Sequence, residues 1–251
     1  MITLAWIDAE SREPWQQMAL DRAMADWARD TGDAILRLYR WRDDTLSLGA
    51  NESAARTWDR NLLERDGIPC VRRPSGGRGV WHARADLTYA WAGPSGGPAG
   101  VRQRYRDLHD RIATVIAARG LATVLAAEPS RAPGLGAGAC FDTAVGGEVL
   151  VAGRKRVGSA QKVIGDTLLQ HGALALADGD GGRRYRLDRV AAAHSSRGDP
   201  VLDPDDLAVA IHDAWLADGA RRADPVVVAT ILAGCRLHEP QFRDPAWTWR
   251  R

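Results

Sequence analysis

The chain has 251 residues, 45% of them hydrophobic and 26% charged, so it can bury a sizeable core and has the balance of an ordinary globular protein. A formal net charge of +2 gives no bulk electrostatic reason to bind nucleic acid. Three widely spaced cysteines, Cys70, Cys140 and Cys235, argue against a disulfide framework or a paired-cysteine zinc site and suit a reducing compartment.

Ile2–Ile7 alternates as a strand, and Pro14 opens a helix to about Arg29 with Trp15, Met18, Ala19, Ala23 and Trp27 near helical spacing. Ala34–Tyr39 and Thr45–Gly49 read as two short strands joined by a turn at Arg42–Asp44. Ala54–Arg65 reads as a second helix ended by Gly67, followed by a strand, Ile68–Arg73, that runs into the segment PSGGRG. Asp86–Ala92 is a further strand and Gly93–Gly100 a Pro/Gly loop. Tyr105, Leu108, Ile112, Val115 and Ile116 then define an amphipathic helix stopped at Gly120. Leu121–Ala126 reads as a strand and Glu128–Gly138, rich in Pro, Gly and Ala, as a mobile loop. Glu148–Val151 and Lys155–Ser159 form a hairpin turned at Ala152–Gly153, and Thr167–Leu176 a strand. After a turn at Asp178–Gly182 and an irregular polar stretch, Arg183–Asp199, a helix capped by Asp203 or Asp205 runs through Ala217, and a helical or mixed segment ends in Trp247–Trp249. This order has no βαβ rhythm, repeat or linker. It predicts one α+β domain over residues 1–251, with a mixed, largely antiparallel sheet packed by helices. No apolar run is long enough to cross a bilayer, and Met1–Asp8 lacks the basic start of a signal peptide, so the cytoplasm is the expected compartment, without membrane contact.

Four groups of residues could carry chemistry. The segment Arg72–His82 puts two glycines after a strand, with Arg72 and Arg73 beside them, an arrangement that suits a phosphate, a carboxylate or a thioester carbonyl; a plain hairpin turn is the simpler alternative. Cys140 sits among small residues beside Asp142, less core-like than Cys70 or Cys235, which read as buried hydrophobes. Lysine occurs only at Lys155 and Lys162, while arginine fills every other basic position, and a compact ammonium differs chemically from a planar guanidinium. Lys155 could lower the thiol pKa of Cys140, take its proton and polarise an acyl carbonyl, or could be an exposed strand lysine paired with a carboxylate. His82 and His171 read as supporting rather than catalytic residues, and His109 and His212, on amphipathic helices, as surface residues. The basic clusters Arg72, Arg73, Arg78 and Arg154, Lys155, Arg156 could attract an acidic protein; Arg102, Arg104 and Arg106 read as a solvated face. No histidine pair has metal-ligand spacing.

In order along the chain, RRPSGGRGVWHARADLTYA, ACFDTAVGGEVLVAGRKRVGSAQ and LLQHGALAL resemble the biotin/lipoate A/B protein ligase superfamily. Its lipoate branch has an Arg-Arg-x-x-Gly-Gly loop, a His before a Leu-Thr-Tyr strand, a Gly-Arg-Lys-x-x-Gly-Ser-Ala segment and a His-Gly strand. Met18-Ala-Leu-Asp21 and Leu38-Tyr-x-Trp41 extend the likeness toward the N-terminus, and it covers roughly Leu4 to Leu176. Within the superfamily the likeness is to cysteine-lysine octanoyltransferases, on whose motifs Cys140 maps to the nucleophile and Lys155 to its partner.

That resemblance implies the biotin/lipoate ligase catalytic-domain fold and an acyl tunnel. It also implies substrate-binding roles for Arg72, Arg73, Ser75, Gly76, Gly77, His82, Gly158, Ser159, Ala160 and His171. The implied reaction moves an octanoyl group from acyl carrier protein through an acyl-cysteine to a lysine of a lipoyl domain, such as that of the glycine-cleavage H protein, with neither ATP nor metal. An ATP-dependent lipoate–protein ligase would share the loop and Lys155 but not need Cys140. An octanoyl amidotransferase between lipoyl domains, or a non-enzymatic binder, are the other readings. The chain departs from the family pattern at Ala144-Val-Gly-Gly147, where aromatic residues are common, at Ala83, where Asp is common, and at Lys162-Val163, where Thr-Arg is common.

Overall fold

The computed structural model describes residues 1–127, 146–176, 182–187 and 202–250. β1 (Thr3–Arg12) leads into α1 (Pro14–Thr31), which starts on a Glu13/Gln16 capping box with proline in its first turn and stops at Gly32 in a left-handed conformation. β2 (Ala34–Trp41), β3 (Thr45–Leu48), α2 (Ala54–Thr57), α3 (Arg60–Arg65), β4 (Cys70–Arg72) and β5 (Val80–His82) follow. Then come β6 (Leu87–Pro94), α4 (Gly97–Ala117), β7 (Thr123–Leu125), β8 (Val149–Val151), β9 (Arg154–Ile164) and β10 (Thr167–Leu174). After a 3-10 turn at Arg183–Tyr185, α5 (Pro204–Ala217) is capped by the Asp203 carboxylate. β11 (Arg221–Arg222), α6 (Pro225–Cys235), α7 (Glu239–Arg243) and α8 (Pro245–Thr248) complete the described chain.

Eight strands form one mixed sheet in the order β11-β1-β2-β6-β10-β9-β8-β7, parallel at β11/β1/β2 and antiparallel elsewhere. Every residue of β10 is buried, because helices cover both faces of the sheet. On one face Leu36, Tyr89 and Leu174 pack against Ile112 and Ile116 of α4 and Ile211 and Trp215 of α5. On the other, Ile35, Tyr39 and Leu169 pack against Met18 and Met24 of α1 and Ile231 of α6. A second sheet, β4-β3-β5, has its own apolar cluster of Leu46, Leu48, Trp58, Leu63 and Tyr185.

Three local expectations are corrected. β2 and β3 are not partners: the turn at Arg42–Asp44 carries the chain from the large sheet to the small one, where β3 pairs with β4 and β5. The helix expected over Ala54–Arg65 is broken at Trp58, which bridges to Arg186, and restarts on an Asp59 cap. The expected loop Gly93–Gly100 is divided between the end of β6 and the start of α4. The loop Glu128–Gly138 lies outside the described residues, as do most of Asp178–Gly182 and the part of Arg183–Asp199 beyond residue 187. Among the described residues no helix is long and apolar enough to cross a membrane.

Arg72 has a role other than the expected substrate contact. Fully buried on β4, it donates Nε to the Thr248 carbonyl at 2.8 Å and Nη1 to the carbonyls of Gly49 at 2.6 Å and Glu52 at 2.9 Å. The Trp247 indole returns a bond to the Arg72 carbonyl at 3.0 Å. The guanidinium therefore holds the C-terminal turn of the chain against the small sheet. Arg72→Met keeps the volume but removes these charged donors, and should lower the unfolding free energy by about 3 kcal/mol. Urea titration should show this, with protease cleavage after α6 rising in parallel.

Candidate functional site

The Gly-rich segment between β4 and β5 is wrapped around the Arg73 side chain. Its guanidinium donates to the Ser47 carbonyl at 2.6 Å and Ser47 Oγ at 2.9 Å, and to the carbonyls of Gly76 and Arg78, both at 3.0 Å. Arg73 and Arg78 are buried like Arg72, so this cluster does not present the surface charge expected for an acidic partner. Arg72 and Arg73 organise backbone carbonyls instead. Ser47 Oγ lies 2.7 Å from His82 Nε2, and the His82 ring stacks on Trp41 at 4.5 Å. Burial, with Arg73 and His171 nearby, pushes the His82 imidazolium well below its ordinary range, so His82 is neutral. Its Nδ1 has no hydrogen-bond partner among the described residues.

A second set of bonds ties this loop to the large sheet. Ser75 Oγ is hydrogen-bonded to His171 Nε2, and His171 Nδ1 donates to Asp21 Oδ2 at 2.8 Å. Asp21 also takes Arg37 Nη1 at 3.2 Å and the Tyr39 hydroxyl at 3.3 Å. Ser, His and Asp in this order have the connectivity of a nucleophile relay. Here Ser75 is fully buried, so the bonds clamp the loop to β10 rather than offer a nucleophile. His171 thus ties the loop to Asp21 of α1.

Between loop and sheet lies a small cleft of about 50 Å³. Met18, Tyr39, Trp41, Val80 and Ala173 give it apolar walls, and Arg73, Gly77, His82, Gly158, Ser159, Ala160 and His171 line it as well. Gly172, beside His171, has no room for a side chain, because Ser159 and Tyr89 fill the place of its Cβ.

Lys155 reaches this wall through an irregularity in the sheet. Val149 pairs with Val157 but Leu150 with Lys155, so Arg156 is an extra residue in β9. The bulge turns Lys155 off the core face that Val157 occupies and toward Gly158. A Cβ on Gly158 would stand 2.6 Å from Lys155 Cε and 3.0 Å from Nζ, so glycine is what lets the lysine lie against the cleft wall. Lys155 is buried and its Nζ is 2.8 Å from Glu148 Oε1. The exposed strand lysine considered from sequence is excluded.

Cys140 lies outside the described residues, as does Ala144. Cys235 is buried as expected, whereas Cys70 is only partly buried; burial, with nearby Glu64 for Cys70 and Glu239 for Cys235, pushes the thiols up to about 12 and about 11. His109 and His212 correct the sequence reading, since both are buried. His109 faces β9 rather than solvent because the Gly147 carbonyl and Ser159 offer partners to both ring nitrogens. Arg102 and Arg106 are exposed as expected, but Arg104 is half-buried over Trp91, 4.6 Å from the ring centre. Glu148, Ser47 and Asp21 were missed as site residues. Only Asp21 left a signal, as a carboxylate inside the apolar stripe of α1. Among the described residues no group of three His, Cys, Asp or Glu side chains is placed to hold a metal ion.

Residues 13–196 match the model of the lipoyl protein ligase A/B catalytic domain. The octanoyltransferase LipM of Exiguobacterium sp. is 35% identical over 186 residues, covering 68% of this chain and 65% of that protein. The Staphylococcus aureus LipM octanoyltransferase is 31% identical over 181 residues, with 68% and 65% covered. The chain thus spans slightly less than two thirds of the length of these relatives. Among solved structures, protein Ta0514 of T. acidophilum superposes with a TM-score of 0.79 at 18% identity, covering all of both chains. Lipoate-protein ligase A bound with ATP superposes at 0.76 and 16% identity, with 99% of each chain covered. At these identities the structural matches establish the shared fold.

The two buried histidines of the site make stability acid-sensitive. Burial depresses His109 to about 4 against the pull of the Gly147 carbonyl, with the Lys155 charge adding to the fall, and burial also holds His82 well below its ordinary value. An unfolded histidine titrates near 6.5, so below that pH the unfolded chain takes up protons that the native state refuses. The stabilisation is complete above about pH 6.5 and is lost as pH falls through about 4, with His109 alone contributing about 3 kcal/mol. Urea unfolding at pH 7.5 and 4.5 should show this loss, and a smaller one in His109→Gln.

Proposed function

The chain belongs to the lipoyl protein ligase A/B catalytic-domain family, and we propose that it is an octanoyltransferase acting through Cys140 and Lys155. The observation that carries the reading is Lys155. It is buried, bulged toward the cleft and laid against Gly158 at the wall of an apolar-sided pocket. A cation at the edge of an apolar slot suits a substrate with a hydrocarbon tail and a carbonyl head. Cys140 and the likeness to two proteins named octanoyltransferase favour acyl transfer over adenylate chemistry.

In the first half-reaction the Cys140 thiol gives up its proton and its sulfur attacks the carbonyl carbon of an octanoyl thioester on acyl carrier protein. The bond to the carrier sulfur breaks, and the carrier leaves as a thiol with a proton. Lys155 polarises the carbonyl and relays the proton. In the second half, a lysine amine of a lipoyl domain, such as that of the glycine-cleavage H protein, attacks the acyl-cysteine. An amide forms and Cys140 returns as a thiol. Thioester to amide is downhill, so the reaction calls for neither ATP nor metal. The cytoplasm, where both proteins would be met, is the matching compartment.

Incubation with octanoyl-acyl carrier protein, followed by intact-mass spectrometry, should show a gain of one octanoyl group without ATP, absent in Cys140→Ala. Acylation of a lipoyl domain that requires ATP and survives Cys140→Ala would instead make the protein a ligase. Gly158→Ala should push the Lys155 end aside and slow acyl-cysteine formation about tenfold or more, with thermal stability near wild type, as stopped-time mass analysis and calorimetry would show.

A further inference from the structure

On the far face of β9, behind the cleft wall, runs a chain of polar groups that the proposed chemistry does not use. Gln161 Nε2 donates to the Val101 carbonyl at 2.9 Å and to Gln170 Oε1 at 2.7 Å, and Gln170 Nε2 donates to the Tyr89 hydroxyl at 2.7 Å. The Tyr89 hydroxyl lies 2.6 Å from Ser159 Oγ, which lies 2.7 Å from His109 Nε2, and His109 Nδ1 lies 2.6 Å from the Gly147 carbonyl.

The two ends fix the direction of every bond. A carbonyl only accepts, so His109 Nδ1 carries a proton. The ring is neutral, so Nε2 is an acceptor and the Ser159 hydroxyl donates to it. Ser159 must then accept from Tyr89, as Tyr89 accepts from Gln170. The chain delivers one fixed donor to one backbone carbonyl, that of Gly147.

That carbonyl belongs to the residue before Glu148. The Glu148 carboxylate is 2.8 Å from Lys155 Nζ and accepts from the Tyr105 hydroxyl at 3.4 Å. Tyr105 in turn meets the His109 ring edge-on at 4.3 Å. The neighbouring backbone is held by Gly147 N to Ala126 O at 2.8 Å and Ala126 N to Glu148 O at 2.7 Å, and His109 holds the Gly147 carbonyl between them.

We propose that His109 is a positioning residue for the acyl-transfer site: by holding the Gly147 carbonyl it sets the backbone from which Glu148 places Lys155 at the cleft wall. The effect on rate rests on the acyl-transfer reading; the placement of Lys155 does not.

Two variants separate the roles of the ring. Asparagine puts its amide nitrogen near the place of Nδ1, so His109→Asn retains the donor to Gly147 and gives up Ser159. Glutamine reaches the place of Nε2, so His109→Gln retains Ser159 and gives up Gly147. Because the chain has only two lysines, labelling lysine with carbon-13 at Cε yields two resonance sets, assigned by Lys162→Arg. His109→Gln should move the Lys155 resonance and slow acyl-cysteine formation about ten- to a hundredfold at unchanged KM, while His109→Asn leaves both near wild type. A wild-type Lys155 resonance in His109→Gln, or equal changes in the two variants, would overturn the proposal. If the wild-type protein forms no acyl-cysteine, the acyl-transfer reading fails and the resonance alone decides the placement. If neither His109 variant folds, Tyr89→Phe, which removes the donor to Ser159, replaces them: a shifted Lys155 resonance supports the proposal and an unchanged one ends it.

Discussion

The guanidinium of Arg37 is the charge around which the cleft is built. It is fully buried at the middle of β2, with Nη2 2.7 Å from Asp8 on β1 and Nη1 3.2 Å from Asp21 on α1, and Gln17 of α1 also accepts from it. Its flat face lies over the Tyr39 ring, 4.0 Å from the centre. Burying a cation costs several kcal/mol unless partners of opposite charge are fixed around it. Burial alone would raise the Asp8 carboxyl, but Arg37 and Arg12 outweigh it and hold Asp8 below its ordinary value. The ion cluster therefore pins β1, β2 and α1 in one arrangement. Asp21 passes the constraint on: its second oxygen orients His171, and His171 tethers Ser75 at the head of the Gly-rich loop. A loop that could close or open a pocket by its own freedom is instead tied to the central sheet through charge.

Arginine carries a second structural duty here. Arg72 and Arg73 each spread several donors over backbone carbonyls from separate segments of the chain. A planar fork can satisfy carbonyls in several directions at once, where an ammonium could not. The loop backbone then needs no further secondary structure to stay buried. Lys155 is the converse case. Its compact end lies beside Glu148 and the bare backbone of Gly158.

The sequence was most legible where local pattern and final environment agree. Thr167–Leu176 reads as a strand and contains β10; Pro14 opens α1 by its backbone preference; the turn at Ala152–Gly153 marked the β8–β9 hairpin. The errors fall where a long-range partner decides. Nothing local distinguishes a two-strand hairpin at Arg42–Asp44 from a crossing between sheets. Arginines beside glycines read as exposed charge, because the carbonyls they satisfy lie at Gly49, Glu52 and Thr248, distant in the chain. His109 was misread although it shares the i, i+3, i+7 spacing of Ile112 and Ile116, since a polar residue on an apolar stripe is legible as buried only once its partners are known. The ordered motifs from Arg72 to His171 include residues that line the cleft, Arg73, Gly77, His82, Gly158, Ser159, Ala160 and His171, whereas Arg72, Ser75 and Gly76 do not line it and Ser47, which does, carries no motif.

β9 explains how these parts act on one another. Gly158 and Ala160 line the cleft, and Ser159 between them also bonds across the other face to α4 and β6. A strand alternates its side chains, so one short segment forms a wall of the pocket and the anchor of the polar chain behind it. The bulge at Arg156 adds the one shift of phase that brings Lys155 to the cleft side while Val157 stays in the core. Had the strand been regular, Lys155 and Val157 would share a face, and either a lysine would enter the apolar core or a valine would leave it. Both alternatives cost more than the unpaired residue of a bulge, so the position of Lys155 follows from the burial of Val157 as much as from its own pairing with Glu148.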